Sequence, residues 1–159
     1  MLRPVELIAP IDRRQSETAL MVARGVRRLL RAQGFSTICE MPLPGGRRAD
    51  IVAVGNDGAI HIVEIKSSVA DFRSDQKWQD YMAHCDRLYF AAPTTVPESL
   101  FPAEAGLIMA DAYGASVLRD PELHKLAGAT RRSLLLAFAR LAADRLHLIG
   151  DPECGDEFA

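Results

Sequence analysis

Residues 46–68 read GRRADIVAVGNDGAIHIVEIKSS, and the fold is decided there. Two runs rich in Val and Ile, residues 49–54 and 60–65, flank Gly55, Asn56, Asp57 and Gly58, whose turn chemistry predicts a β-hairpin. Asp50, Glu64 and Lys66 interrupt the apolar pattern. Strand side chains alternate, so Glu64 and Lys66 point to one face, roughly 7 Å apart at Cα, while Val63 and Ile65 point to the other. If Val54 pairs with Ile60, Asp50 falls opposite Glu64 with Cβ atoms about 5 Å apart. A slip of one residue would part them, and a bulge is the other way to bring them together.

Two carboxylates and an ammonium this close conflict with the buried character of both strands, because unpaired charge is costly to bury. A divalent cation resolves the conflict. Hard oxygen ligands suit Mg²⁺ or Mn²⁺, which keep several waters and combine one or two carboxylates with a substrate phosphate.

The spacing of Asp50, Glu64 and Lys66 resembles that of the PD-(D/E)xK nuclease superfamily, although Ala49 stands where many members have proline. Residues 63–93, VEIKSSVADFRSDQKWQDYMAHCDRLYFAAP, are similar to the MmcB family of bacterial DNA-repair proteins, a likeness that extends over most of residues 16–145. The resemblance implies a restriction-endonuclease-like α/β fold, a mixed sheet flanked by helices. It also implies a Mg²⁺- or Mn²⁺-dependent DNA endonuclease, in which Asp50, Glu64 and the Ile65 carbonyl hold the ion and Lys66 positions the attacking water. A second reading keeps the fold as a catalytically silent DNA-binding or recruitment module in repair. A third treats the three residues as an internal ion-pair network.

The chain has 159 residues, 48% of them hydrophobic, enough for one domain with a real core. No apolar run approaches the roughly 20 residues of a membrane span, and the opening MLRPVELIAP does not read as a signal peptide, so a cytoplasmic protein is expected. Cys39, Cys85 and Cys154 lack C-x-x-C spacing and are odd in number, against a disulfide framework. His61, His84, His124 and His147 show no paired metal-binding spacing and are assigned no role. Neither a phosphate-binding Walker loop nor a G-x-G-x-x-G turn is present, which argues against a nucleotide cofactor.

A net charge of −2 sits poorly with DNA as partner until it is mapped. Residues 151–159 hold four acids and no base, so residues 1–150 carry 19 Lys and Arg against 17 Asp and Glu. The expected organisation is an N-terminal arm (1–15), a nuclease-like domain (16–150) and a mobile acidic tail (151–159). The expected partner is damaged or structured DNA, and a homodimer is compatible with the sequence.

Ser16 caps a predicted helix to Ala32, with Gly34 as its stop. Its apolar face is Ala19, Val22, Val26, Leu29 and Leu30; Arg24, Arg27, Arg28 and Arg31 line the opposite face, either to grip phosphates or simply to meet solvent. Glu17 resembles the extra helix acid of some superfamily members, and is otherwise an ordinary first-turn acid. Residues 35–41 read as a strand ending beside Glu40, which is either an accessory ligand or a surface acid. Arg47 and Arg48 are placed to hold phosphate or to pair with nearby acids. Residues 69–84 read as a helical segment capped by Ser74 or Asp75; Lys77 is its candidate phosphate contact, and Trp78 and Tyr81 belong to the core. Residues 86–93 predict a central strand, 97–104 a helical turn, and 106–110 with 115–118 a second hairpin. Thr130 is the expected cap of a last long helix ending near His147, with Leu134, Leu135, Phe138, Leu141 and Leu146 inward. Arg131 and Arg132 in its first turn suit a bound anion or an exposed surface.

Overall fold

The computed structural model describes residues 16–157, with side chains described to Cys154. The predicted arm therefore lies outside the described residues. Helix α1, Glu17–Ala32, is capped by the Ser16 hydroxyl, which accepts from the Ala19 N–H, and the chain leaves it through Gly34 at φ 86°. Six strands follow: β1 Ser36–Pro42, β2 Arg48–Val54, β3 Ile60–Ile65, β4 Arg87–Ala92, β5 Gly106–Ala110 and β6 Ala115–Arg119. They form one sheet in sequential order β1-β2-β3-β4-β5-β6. β1, β2 and β3 form an antiparallel meander, β3-β4 and β4-β5 are parallel, and β5-β6 is a closing antiparallel hairpin.

Both faces are covered. α1 packs Val22, Val26 and Leu30 onto Ile51, Ala53, Val63, Ala91 and Ile108. Its backbone comes so near the β5-β6 turn that a Cβ on Gly25 would lie 2.0 Å from the Asp111 carbonyl oxygen. The opposite face buries Ile38, Val52, Ile60, Ile62 and Leu88 beneath Tyr81 and Leu134. A third cluster centres on Phe90, whose ring meets Phe72, Trp78 and Phe101 at centroid distances of 5.4–5.6 Å. Trp78 and Tyr81 are thus core residues, as expected.

The parallel β3-β4 step requires a crossover, and its shape departs from the sequence reading. Residues 69–84 are two pieces: helix α2, Val69–Ser74, and a 3₁₀ helix, Trp78–His84. Ser68, not Ser74 or Asp75, caps α2, accepting from the Asp71 N–H. Asp75 instead ends it and recruits the Lys77 N–H (3.1 Å), which breaks the helical run.

The last helix, α3, spans Gly128–Gly150, so Thr130 lies inside it rather than at its cap. Its entry is set by Asp86, which accepts from the Leu126 N–H (3.0 Å) and the Ile60 N–H (2.8 Å) and takes the Arg131 guanidinium at 2.6 and 2.7 Å. The anion that Arg131 serves is therefore an internal carboxylate. Leu135, Phe138 and Leu141 pack against the sheet as expected, whereas Leu146 is 68% exposed. Beyond α3, Pro152–Glu157 form a 3₁₀ helix where the sequence suggested a tail. Among the described residues no helix is long and apolar enough to cross a membrane.

Candidate functional site

The hairpin register is the one that brings the acids together: Val54 pairs with Ile60 and Ile51 with Val63. One step further on, each carboxylate takes the other strand's backbone. The Asp50 N–H donates to Glu64 Oε1 (3.1 Å), and the Ile65 N–H donates to Asp50 Oδ2 (2.7 Å). These bonds replace the next ladder rungs, so both side chains are fixed by main chain rather than by rotamer preference. On the outer side, β1 bends at Glu40, whose φ of 55° is unusual for a residue with a side chain. Arg145 of α3 braces that bend by donating to the Glu40 carbonyl oxygen (3.0 Å) and to the Cys39 carbonyl.

Past the end of β3, the Lys66 N–H bonds to the Ala91 carbonyl, and its ammonium donates to Asp75 Oδ2 (2.8 Å). Asp71 accepts from the Ser67 N–H (2.9 Å), fastening the first turn of α2 to the strand end. Arg47 lies over the Tyr81 ring, 5.2 Å from its centroid, and pairs with Asp80 at 3.0 Å. The result is a cavity of about 610 Å³ lined by Asp50, Glu64, Asp71, Asp75, Arg47, Lys66 and Lys77, with Ser16, Ala19 and Tyr81 among its other walls.

Four carboxylates against three cations give that cavity no net attraction for a phosphate. Glu64 is 3% exposed and Lys66 6%. Burial pushes the Glu64 carboxyl well above its ordinary range, and the neighbouring Asp50 charge pushes it further. Burial likewise raises Asp50 to about 6, against the Ile65 hydrogen bond that favours its ionised form. Tyr81 is raised by burial and by the Glu64 charge. Burial also works to raise Asp75, but the Lys66 hydrogen bond and charge prevail and hold it below the usual value. Two carboxyls that resist ionising side by side fit a divalent cation, since one such ion would neutralise both and reverse the sign of the cavity.

The predicted residues divide accordingly. Asp50, Glu64, Ile65, Lys66 and Lys77 line the cavity, and Arg47 does so where Arg48 was expected to matter too. Arg48 is engaged by Glu40, and neither is among the lining residues, although the Glu40 charge raises Asp50. Glu17 is exposed and does not line the cavity; Ser16 and Ala19 occupy that end of α1. The stripe of Arg24, Arg27, Arg28 and Arg31 is exposed and starts about 12 Å along α1 from Ser16. Arg27 donates to Thr37 Oγ1 (3.0 Å) and Arg28 to the Tyr113 carbonyl (3.3 Å), spreading across both sheet edges. Asp71 and Asp75 are site residues that the sequence reading did not assign. Their only signal was two acids four apart just after the E-x-K strand.

A mixed sheet with helices on both faces and an acid-lined cavity at the start of β2 and the end of β3 defines an α/β domain with a polar cleft at one end of its central strands. The chain belongs to the MmcB-like family of DNA repair proteins, which matches residues 7–153. A solved structure described as a protein of unknown function from Silicibacter pomeroyi is 44% identical, with a TM-score of 0.84 over 87% of this chain and 95% of that one. A repair endonuclease from Pyrococcus abyssi is 23% identical, with a TM-score of 0.37 over 54% of this chain and 41% of that one, a partial likeness without functional weight. No curated protein matches the chain.

Proposed function

We propose that this chain is a divalent-cation-dependent DNA nuclease of repair, acting on damaged or structured DNA through the cavity at the ends of β2 and β3. The observation that carries the reading is the pair Asp50 and Glu64, each locked onto the other strand's backbone, with the Lys66 ammonium in the same cavity. Asp50, Glu64 and the Ile65 carbonyl are the groups that would hold Mg²⁺ or Mn²⁺. When bound, such an ion supplies Lewis-acid polarisation of a phosphodiester and a water of lowered pKa. Lys66, anchored by Asp75, presents its ammonium where a water is to be positioned and where charge grows on phosphate. Arg47 and Lys77 on the cavity wall orient the backbone that enters. The restriction-endonuclease-like fold implied by the sequence resemblance agrees with these roles.

One observation favours a silent module instead: the Lys66 ammonium is already paired with Asp75 at 2.8 Å. Cleavage of nicked, flapped, branched and single-stranded DNA, with Mg²⁺ or Mn²⁺, decides between the two. Cutting by the wild type and none by Glu64→Ala is the expected result. Binding without cutting on every substrate would overturn the nuclease reading and leave the module.

A further inference from the structure

We propose that His147, Asp151 and Cys154 form a separate cation site, for a borderline-soft divalent ion such as Zn²⁺, that staples the segment after α3 to the helix end. An imidazole nitrogen, a carboxylate oxygen and a thiol sulfur lie within 4.8 Å of one another there. Tetrahedral zinc with bonds of about 2.0–2.3 Å sets its donors roughly 3.3–3.8 Å apart, so side-chain rotation of about an ångström closes the set.

The backbone already holds the three residues in that arrangement. The Asp151 N–H donates to the His147 carbonyl (2.8 Å), and the Cys154 N–H donates to the Asp151 carbonyl (3.2 Å). Each bond turns the chain once, and the spacing H-x₃-D-x₂-C gathers three ligand types on one side. His147 and Asp151 are exposed and Cys154 is half-buried, so an ion can enter from solvent while the sulfur sits against protein. The carbonyl end of α3 adds a field that favours positive charge.

The donor set also sets this site apart from the cavity around Asp50. Oxygen donors select Mg²⁺ or Mn²⁺, whereas thiolate and imidazole select zinc. Three protein ligands leave a fourth position for water. Paired His or Cys spacing does not mark this site in the sequence, because it mixes three residue types.

The test is titration of the full-length chain with Co²⁺, followed by Zn²⁺. A near-ultraviolet thiolate-to-cobalt absorption that is bleached by Zn²⁺ is the expected result. Cys154→Ser should abolish the absorption, and His147→Ala should weaken Co²⁺ binding roughly tenfold or more. Glu64→Ala should leave the absorption intact, and circular dichroism should show each variant folded. Failure of the wild type to develop the absorption, or its survival in Cys154→Ser, would overturn the proposal, the latter by tracing it to Cys39 or Cys85.

Discussion

Asp50→Asn should stabilise the cation-free protein at about pH 8 and leave it unchanged near pH 4. Asp50 titrates at about 6 in the fold against an ordinary 3.8, and burial is the first cause. For a carboxyl raised in this way, the relative stability present below about pH 4 is lost as pH rises through the folded value. The gap between 3.8 and about 6 corresponds to roughly 3 kcal/mol at high pH. Asparagine keeps an oxygen for the Ile65 N–H and adds a donor toward Glu64, so the hydrogen bond at 2.7 Å survives. A gain of about 1–3 kcal/mol in a chain of this length is a rise in Tm of roughly 2–10 °C. Thermal unfolding with a chelator at the two pH values measures it. Mg²⁺ added at high pH should then raise the wild-type Tm and not that of Asp50→Asn. A variant less stable than wild type at pH 8, or a gain equal at both pH values, would refute the account of the site as a carboxylate pair short of a cation.

Other substitutions probe separate parts of the molecule. Arg131→Ala strands Asp86, which is held low by the Arg131 fork and two backbone donors despite burial, and should cost about 3–5 kcal/mol in denaturant unfolding near neutral pH. Because the Asp86 pKa is depressed, that contribution is present above its unfolded value and should fade as pH falls below about 4 in the wild type. Gly25→Ala meets two backbone carbonyls, at 2.0 and 2.5 Å, and should destabilise by about 3 kcal/mol or more, read as a lower denaturant midpoint; a neutral result would mean α1 does not rest on the β5-β6 turn. Arg47→Ala with Lys77→Ala should weaken cation-supported DNA binding and flatten its salt dependence by about one phosphate contact each, whereas Arg24→Ala with Arg31→Ala should change neither if the stripe only meets solvent.

What the sequence disclosed was local. The β2-β3 hairpin and its register follow from Gly55, Gly58 and the alternation around them, and α1 follows from Ser16, its apolar stripe and Gly34, all signals that act within one element. The carboxylate pair came with the register, since its partners are 14 residues apart on adjoining strands. The Lys66-Asp75 pair did not, because it depends on where α2 stops, and that is decided by the same Asp75 side chain binding both Lys66 and the Lys77 backbone. The start of α3 was hidden for a similar reason. Asp86, on the far side of the sequence from Arg131, fixes it through contacts 40 and 45 residues long.

Only one neighbouring pair of strands is joined by a parallel step with its own wall-building insert at the site, the β3-β4 crossover through residues 66–86. That segment brings more than half of the cavity lining, Lys66, Asp71, Asp75, Lys77 and Tyr81 among it, while Asp50 and Glu64 come from the hairpin before it. The segment that walls the cavity is therefore the same one that carries the chain across to β4, so enclosing the acids and pairing β4 with β3 depend on one stretch of sequence.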